Sequence, residues 1–265
     1  MRSELLRKKY EAGELFFGTH CQIAEPVIPE MFGLQGFDFL WIDTEHSAID
    51  RKELNLMIMS AHLTESAVIV RIPACDPVHA KAVLDMGPDG IVFPNVRDAD
   101  EARLAVASVR YPPDGVRGYG PQRATRYGRI PGGEWVEKES KKVWCLVQIE
   151  DYKAVDKLDE ILAVPGLDAL ICGPMDFSGS LGKLTKLNDP EVMGYFDVIV
   201  DKAKKARVPV GVSFGYSGQG NSQIVEWIRR GVDFMSVGSD FNYLTAGSAL
   251  VYKTIKDTCK ELGRA

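Results

Sequence analysis

Short apolar segments recur along the chain, and a segment with helical periodicity follows most of them. Nearly continuous apolar character predicts strands buried on both faces, as in a parallel sheet covered by helices. Asp50 with Glu53, and Asp98 with Glu101, have the spacing of a helix N-cap and its reciprocal partner, so helices are predicted to begin there. The predicted strands are residues 15–20, 37–42, 67–72, 90–96, 143–150, 169–172, 208–214 and 234–237.

About eight strand–helix units in 265 residues predict an α/β fold, a (β/α)8 TIM barrel. We expect residues 1–265 to form a single barrel domain, because no Pro/Gly/Ser-rich linker divides the chain. A doubly wound open sheet is the alternative, but no GxGxxG motif follows the first predicted strand.

Charge and composition narrow the class of partners. A net charge of −5 gives no support for binding to nucleic acid or to an anionic membrane surface. No apolar run reaches the roughly 18–20 residues that a membrane span needs, and the charged N-terminal segment lacks a signal-peptide core. The five cysteines are scattered without zinc-type spacing, which indicates reduced thiols. We therefore expect a cytoplasmic protein that acts on small molecules.

One long segment, residues 111–142, separates the fourth and fifth predicted strands and is rich in Gly, Pro and Arg. Loops of this length in compact domains are usually functional or disordered. We predict a lid or a segment between subunits, with partial disorder as the alternative.

Polar residues follow several predicted strands, at the end where barrel enzymes place their catalytic groups. Glu150 and Asp176 follow adjacent strands, so their carboxylates are predicted to lie side by side. Such a pair can bind a hard divalent cation, Mg²⁺ or Mn²⁺, through oxygen. A glycosidase acid–base pair and two helix N-caps are the alternatives. The residues at the strand ends are Asp43, Glu45, His46, Arg71, Gln148, Glu150, Gly173 and Asp176.

His46 and Arg71 are the other candidates for chemistry at this end. A histidine there can act as a general base near neutral pH, or can form a structural hydrogen bond. An arginine can bind a substrate carboxylate in a forked geometry, or can form an internal salt bridge. His20 ends the first predicted strand and is a further candidate for the same end.

No lysine ends a predicted strand, which argues against a Schiff-base mechanism. The glycine-rich stretch GYSGQGN, residues 215–221, follows the seventh strand, where barrels often bind phosphate. A flexible glycine loop is the alternative explanation for that stretch.

Seven motifs carry a family resemblance, and they occur in order over nearly the whole chain. Together they resemble the HpcH/HpaI family of class II pyruvate aldolases, and VQIE followed by GPMDFSGSLG is the most specific pair. The resemblance implies a barrel of the phosphoenolpyruvate/pyruvate-domain type that uses Mg²⁺ or Mn²⁺, with Co²⁺ as a further candidate. It also implies a homo-hexamer that exchanges C-terminal helices between subunits, here residues of about 244–263. The motifs are FDFLWIDTEH, VIVRIPACDP, KAVLDMGPDGIVFPNV, YPPDGVRGYG, VQIED, CGPMDFSGSLG and GVDFMSVGSD.

The resemblance assigns the acid–base groups by position. It implies that His46 is the catalytic base, that Asp85 raises its basicity, and that Asp43 supplies a nearby carboxylate. Arg71 would bind the keto-acid end of the substrate and stabilise the enolate.

It assigns the metal and substrate contacts in the same way. Glu150 and Asp176 would be the metal ligands, and Gln148 would hydrogen-bond the substrate. The backbone of the segment from Gly173 through Met175 to Asp176 would hold the substrate carboxylate.

The chain departs from the usual family pattern in several positions. Thr44 stands where glycine is common, Ser47 where alanine is common, and Met175 where the residue is usually small. His20-Cys21 replaces a position that is more often tryptophan. These changes are expected to alter aldehyde specificity and to leave the chemistry intact.

The implied reaction is the reversible cleavage of a 4-hydroxy-2-oxo acid to pyruvate and an aldehyde, through a metal-stabilised pyruvate enolate. Oxaloacetate decarboxylation would be a side activity through the same enolate. Two alternatives are a barrel isomerase or epimerase acting on a sugar phosphate, and a catalytically silent keto-acid-binding barrel.

Overall fold

The computed structural model describes residues 1–216 and 220–264, in which eight parallel strands close into a barrel. Neighbouring strands pair in chain order, and the last strand pairs with the first. The predicted (β/α)8 fold is thereby confirmed. The strands are β1 (Phe16–Cys21), β2 (Phe39–Asp43), β3 (Ala67–Arg71), β4 (Gly90–Phe93), β5 (Trp144–Ile149), β6 (Ala169–Cys172), β7 (Val210–Phe214) and β8 (Phe234–Ser239).

Helices surround the barrel, and their buried side chains pack on the outward side chains of the strands. The helices are α1 (Ser3–Glu11), α2 (Val27–Leu34), α3 (Arg51–Ala61), α4 (Pro77–Leu84), α5 (Ala99–Val109), α6 (Gly132–Glu137), α7 (Leu158–Leu162), α8 (Pro174–Ser180), α9 (Pro190–Ala206), α10 (Ser222–Arg230) and α11 (Asp240–Glu261). Short 3₁₀ turns occupy Glu139–Lys142 and Tyr152–Lys157.

The two predicted N-caps differ in detail. Asp50 forms the full capping box with Glu53 at the start of α3. Asp98 accepts hydrogen bonds from the backbone at the start of α5, but Glu101 accepts from the backbone N–H of Arg97 instead of that of Asp98. The second capping box is therefore only half formed, although the helix begins where it was predicted.

Aromatic rings fill the barrel interior near the N-terminal ends of the strands. Phe16 stacks on Phe234 with ring centroids 5.0 Å apart, and Phe39 meets both rings edge-on. Gly18 and Gly211 leave the room for these rings, because a Cβ atom on either glycine would overlap the neighbouring phenylalanine. This packed layer closes the barrel beneath its C-terminal end, so the polar interior positions above it form the floor of a mouth.

The long segment 111–142 lies at the opposite, N-terminal end of the barrel. It connects α5 to β5, and a connection from a helix to a strand returns to that end. Arg117 bonds Asp85 in the turn before β4 at 3.2 Å, and the Trp135 indole donates to the Tyr111 hydroxyl at 3.1 Å. The segment therefore does not form a lid over the mouth of its own barrel, and the prediction of a lid was wrong within this chain.

Helix α11 extends beyond the barrel. Asp240 is its only buried residue among those described. An apolar groove of about 520 Å³ lies beside β1 and β8, lined by residues that include Phe17, Phe32 and Met235. The helix after the last strand normally covers this position in a (β/α)8 barrel. Within residues 1–216 and 220–264, no helix combines the length and the apolar composition that a bilayer span requires.

Candidate active site

A cavity of about 470 Å³ opens at the C-terminal ends of the strands. It brings together predicted site residues from four different β–α connections, as expected for a barrel enzyme. The predicted residues that line it are His46, Arg71, Gln148, Gly173, Met175 and Asp176.

Arg71 and Asp43 form a buried, two-pronged ion pair at the ends of β3 and β2. The guanidinium Nε lies 3.0 Å from Oδ1 of Asp43, and Nη2 lies 2.6 Å from Oδ2. Burial opposes ionisation of Asp43, but the hydrogen bonds and charge of Arg71 outweigh it and lower the pKa of this carboxyl. The internal salt bridge, one of the two alternatives for Arg71, is therefore present.

Glu45 is a member of this cluster that the sequence reasoning did not assign to the site. Its Oε2 lies 3.1 Å from Nη1 of Arg71. Burial is the main reason that the pKa of Glu45 is raised, and the nearby charges of Asp43 and Asp176 add to it. The sequence signal for a role of Glu45 is its position between Asp43 and His46 in the DTEH motif. Two of the five guanidinium N–H groups of Arg71 thus bond Asp43, and Nη1 faces Glu45 at ion-pair distance without a hydrogen bond, which leaves donors for a ligand.

His46 lies at the rim of the mouth, with a side chain that is 61% exposed. Its Nε2 is 3.8 Å from Oε2 of Glu45, while its backbone N–H points to Oδ1 of Asp43 at 3.4 Å. The imidazole is therefore free to meet a substrate. Asp43 contacts His46 only at its backbone N–H.

Glu150 is the buried carboxylate of the mouth. The backbone N–H of Asn95 donates to its Oε2 at 2.9 Å, and the Gln148 amide donates to its Oε1 at 2.8 Å. Burial first, and then the charges of Asp176 and Glu45, raise the pKa of Glu150 to about 7. The charge of Arg71 opposes this shift but does not cancel it.

The segment after β6 brings Asp176 next to Glu150. Asp176 lies in the first turn of α8 and is exposed to the cavity. A Cβ atom on Gly173 would lie 2.7 Å from Glu150 and 2.8 Å from the amide nitrogen of Gln148. Only glycine at this position lets the segment pass so close to the two side chains.

Residues 17–246 match the family described as HpcH/HpaI aldolase/citrate lyase. The chain belongs to this family. The 5-keto-4-deoxy-D-glucarate aldolase of Enterobacter sp. (strain 638) is 33% identical over 261 residues, which span 97% of this chain and 100% of that protein. The family resemblance and the prediction of an aldolase-type lyase are thereby confirmed.

Solved structures of other family members have the same fold. An HpcH/HpaI aldolase from Desulfitobacterium hafniense DCB-2 superposes with a TM-score of 0.87 at 32% identity, covering 95% of this chain and 96% of that one. An HpcH/HpaI aldolase/citrate lyase family protein from Burkholderia cenocepacia J2315 gives a TM-score of 0.89 at 27% identity, covering 96% and 99%.

The donor atoms at the mouth of this aldolase suit a hard divalent cation. Among the described residues, no group of three or more His, Cys, Asp or Glu side chains has the arrangement of a metal site. The pair of Glu150 and Asp176 nevertheless offers only oxygen ligands, carries negative charge that Arg71 only partly offsets, and leaves positions for water and substrate. The Oε1 atom of Gln148 next to it is buried without a hydrogen-bond partner. The residues present therefore fit the group that the family resemblance implies.

Asp85 is the one predicted site residue that the structure does not bring to the mouth. It follows α4 at the N-terminal end of the barrel, where its side chain bonds Arg117 and its carbonyl accepts from the backbone of Ala124. Within one chain it cannot act on His46, because the two residues lie at opposite ends of the barrel.

The glycine-rich stretch of residues 215–221 is described only in part. Gly215 lines the mouth cavity, but residues 217–219 lie outside the described part of the chain. The suggested phosphate site there therefore stays a prediction.

A second cavity, of about 790 Å³, opens at the N-terminal end of the barrel beside Arg123 and Arg126. It is larger than the mouth but contains none of the predicted site residues. Its Asp89 and His62 contact each other at 3.3 Å, Asp89 also accepts from the backbone N–H of Val68, and Nδ1 of His62 lies 3.0 Å from the Arg123 guanidinium. Volume alone therefore does not identify the reactive site of this aldolase.

Proposed function

We propose that this chain cleaves a 4-hydroxy-2-oxo acid to pyruvate and an aldehyde with the help of a divalent metal ion, and catalyses the reverse condensation. The observation that carries the proposal is buried Glu150 beside Asp176, a carboxylate whose negative charge Arg71 only partly offsets, at a mouth that Asp176 and Arg71 both line. Glu150 and Asp176 would hold Mg²⁺ or Mn²⁺, with Co²⁺ as a further candidate. When bound, the ion would act as a Lewis acid on the C2 oxygen of the keto acid.

The side chains of this chain would share the remaining tasks. The N–H groups of Arg71 that do not bond Asp43 would donate to the C2 oxygen and stabilise the charge that develops there. Gln148 and the backbone around Met175 and Asp176 would hold the carboxylate. Asp43 would keep the guanidinium in place through its two-pronged ion pair.

His46 would act as the general base for bond cleavage, directly or through one water. As the C4 hydroxyl loses its proton to the imidazole, C4 forms the aldehyde carbonyl and the C3–C4 bond breaks. The electron pair of that bond passes into the pyruvate enolate, and protonation at C3 then gives pyruvate. The same enolate would form on loss of carbon dioxide from oxaloacetate, which would make decarboxylation a side activity.

The substrate class follows from the relatives. Several curated relatives have the name 5-keto-4-deoxy-D-glucarate aldolase, which describes a keto acid with a deoxy carbon. We propose a hydroxylated 2-oxo acid of this class for the present chain. Among the described residues of the mouth, no feature specifically favours a sugar-phosphate isomerase or a silent binding protein.

A condensation assay tests the proposal. Pyruvate and Mg²⁺ or Mn²⁺ are incubated with a panel of aldehydes, and pyruvate consumption is followed. His46→Ala should lose about 10²–10⁴-fold in kcat while still binding pyruvate, since a general base typically contributes that much. No pyruvate consumption with any aldehyde would refute the proposed reaction, and equal losses of affinity and turnover would make His46 structural.

We also propose that the C-terminal helix packs on a second copy of the chain. The support is twofold: α11 exposes Leu244, Val251 and Ile255, and the groove beside β1 and β8 has an apolar lining. Val251→Glu with Ile255→Glu should dissociate the oligomer in analytical ultracentrifugation. Lys253→Glu, on the opposite side of the helix, should leave it assembled. A monomeric wild-type protein would refute the exchange.

A further inference from the structure

The wall of the mouth formed by β1, β7 and β8 differs in character from the wall that carries Arg71 and Glu150. It is neutral and polar, and its centre is His20 at the end of β1. The imidazole Nε2 lies 3.2 Å from Oγ of Ser213, and Nδ1 lies 3.0 Å from Oγ of Ser236 and 3.3 Å from the carbonyl oxygen of Gly238. Both ring nitrogens are therefore engaged by the protein.

The His20 ring is held rigidly. It packs on the indole of Trp41 with ring centroids 4.8 Å apart, and only 8% of the residue is exposed. Burial lowers the pKa of His20 to about 4, with Asp43 opposing the shift and Arg71 adding to it. The imidazole is thus neutral at the pH of ordinary assays, with one N–H donor and one acceptor nitrogen.

The hydrogen bonds indicate which nitrogen carries the proton. The carbonyl of Gly238 can only accept, so it favours the proton on Nδ1. The Nε2 atom is then an acceptor, and the Ser213 hydroxyl donates to it. This leaves the lone pairs of the Ser213 oxygen for a donor in the cavity, which Ser213 and His20 both line.

We propose that Ser213, oriented by His20, recognises a hydroxyl group on the carbon chain of the substrate. This inference rests on the proposed function, in which the charged wall holds the keto-acid end and leaves the rest of the chain to the neutral wall. A substrate O–H would donate to the Ser213 oxygen. A methyl group in the same place would displace water and leave the lone pairs of that oxygen without a donor. Ser213 is a specificity-determining residue in this account, and His20 is a positioning residue.

Matched substrates test the proposal. The aldehyde pair is glycolaldehyde and acetaldehyde, and the keto-acid pair is 3-hydroxypyruvate and 2-oxobutanoate. We expect the wild type to favour the hydroxylated member of at least one pair by about 10-fold in kcat/KM, the size of one neutral hydrogen bond. Ser213→Ala should bring that ratio close to one, with little change in the KM for pyruvate.

Substitutions of His20 separate positioning from mere packing. His20→Phe fills the same space but cannot accept the Ser213 proton, so the preference should fall as in Ser213→Ala. His20→Gln keeps a neutral acceptor and should retain most of the preference. Equal ratios in wild type and Ser213→Ala, with condensation intact, would overturn this inference alone. Absence of condensation with every substrate would refute the proposed function, and this inference with it.

Discussion

Among the individual residues, Arg71 contacts several other side chains of the mouth. Asp43 accepts from two of its N–H groups, Nη1 lies 3.1 Å from Oε2 of Glu45, and the guanidinium carbon lies 5.6 Å from the centre of the Trp41 ring. The sequence alone left two roles for this residue, internal ion pair or substrate ligand. The geometry is compatible with both roles, because the ion pair with Asp43 orients the guanidinium and leaves other N–H groups of Arg71 available to a substrate.

Replacing Arg71 with lysine tests whether these donors act in the reaction. Lysine keeps the charge but loses the planar fork, so it cannot satisfy Asp43 and the substrate together. We expect kcat to fall roughly 10²-fold or more, by analogy with the loss of one oxyanion donor, while KM changes less. Arg97→Lys, on the exposed surface pair with Glu101, is the control. Near-native turnover with a lower melting temperature would make Arg71 purely structural.

His20 gives a prediction for stability against pH. Its folded-state pKa of about 4 lies below its ordinary value of 6.5, so the unfolded chain binds more protons between these values. Stability should therefore fall as pH drops from about 6.5 towards 4, by up to about 1.4 kcal/mol per pH unit. Urea unfolding of wild type and His20→Gln at pH 7 and pH 5 measures the difference. His79→Gln, at an exposed position of α4, should lose as much stability between pH 7 and pH 5 as the wild type does. The same loss of unfolding free energy in all three proteins would contradict the lowered pKa of His20.

At the scale of the elements, the apolar pattern located all eight strands within a few residues, because strands buried on both faces are predominantly apolar. The differences lie in the connections. The lid that was one alternative for residues 111–142, and the place near His46 that the resemblance implied for Asp85, both fall in helix-to-strand connections, which return to the N-terminal end. The predicted topology already implied that these connections return to the N-terminal end. The sequence could not predict the contact of Glu45 with Arg71 or the burial of His20, because both depend on side-chain positions across the barrel.

The aromatic layer inside the barrel predicts which glycines the strands need. Gly211→Ala would drive a methyl group into the Phe234 ring, and such overpacking typically costs about 1–3 kcal/mol. Gly194→Ala in α9 meets no atom within 4 Å and should instead stabilise the helix by up to about 1 kcal/mol. Denaturant midpoints of the two variants check this contrast. Equal stability of Gly211→Ala and wild type would show that the layer is loosely packed.

For the whole molecule, the barrel explains why residues far apart in sequence form one reactive mouth. Each of the strands β2, β3, β5 and β6 ends in or next to a charged group, and the aromatic layer beneath them closes the barrel. The charges at the mouth are unequal: the carboxylates of Asp43, Glu45, Glu150 and Asp176 face a single guanidinium, that of Arg71. A divalent cation would bring three positive charges against these four negative ones, and binding of such an ion is the central claim of the proposed function.

The most direct test of that claim is the exchange of deuterium from solvent into the methyl group of pyruvate, because exchange requires the enolate and needs no aldehyde. Protein stripped with a chelator should show no exchange, and Mg²⁺ or Mn²⁺ should restore it in the wild type. Glu150→Gln, which keeps the shape but removes the charge, should recover little exchange at the same metal concentration. Full exchange in chelator, or a pyruvate adduct trapped by borohydride, would contradict the account.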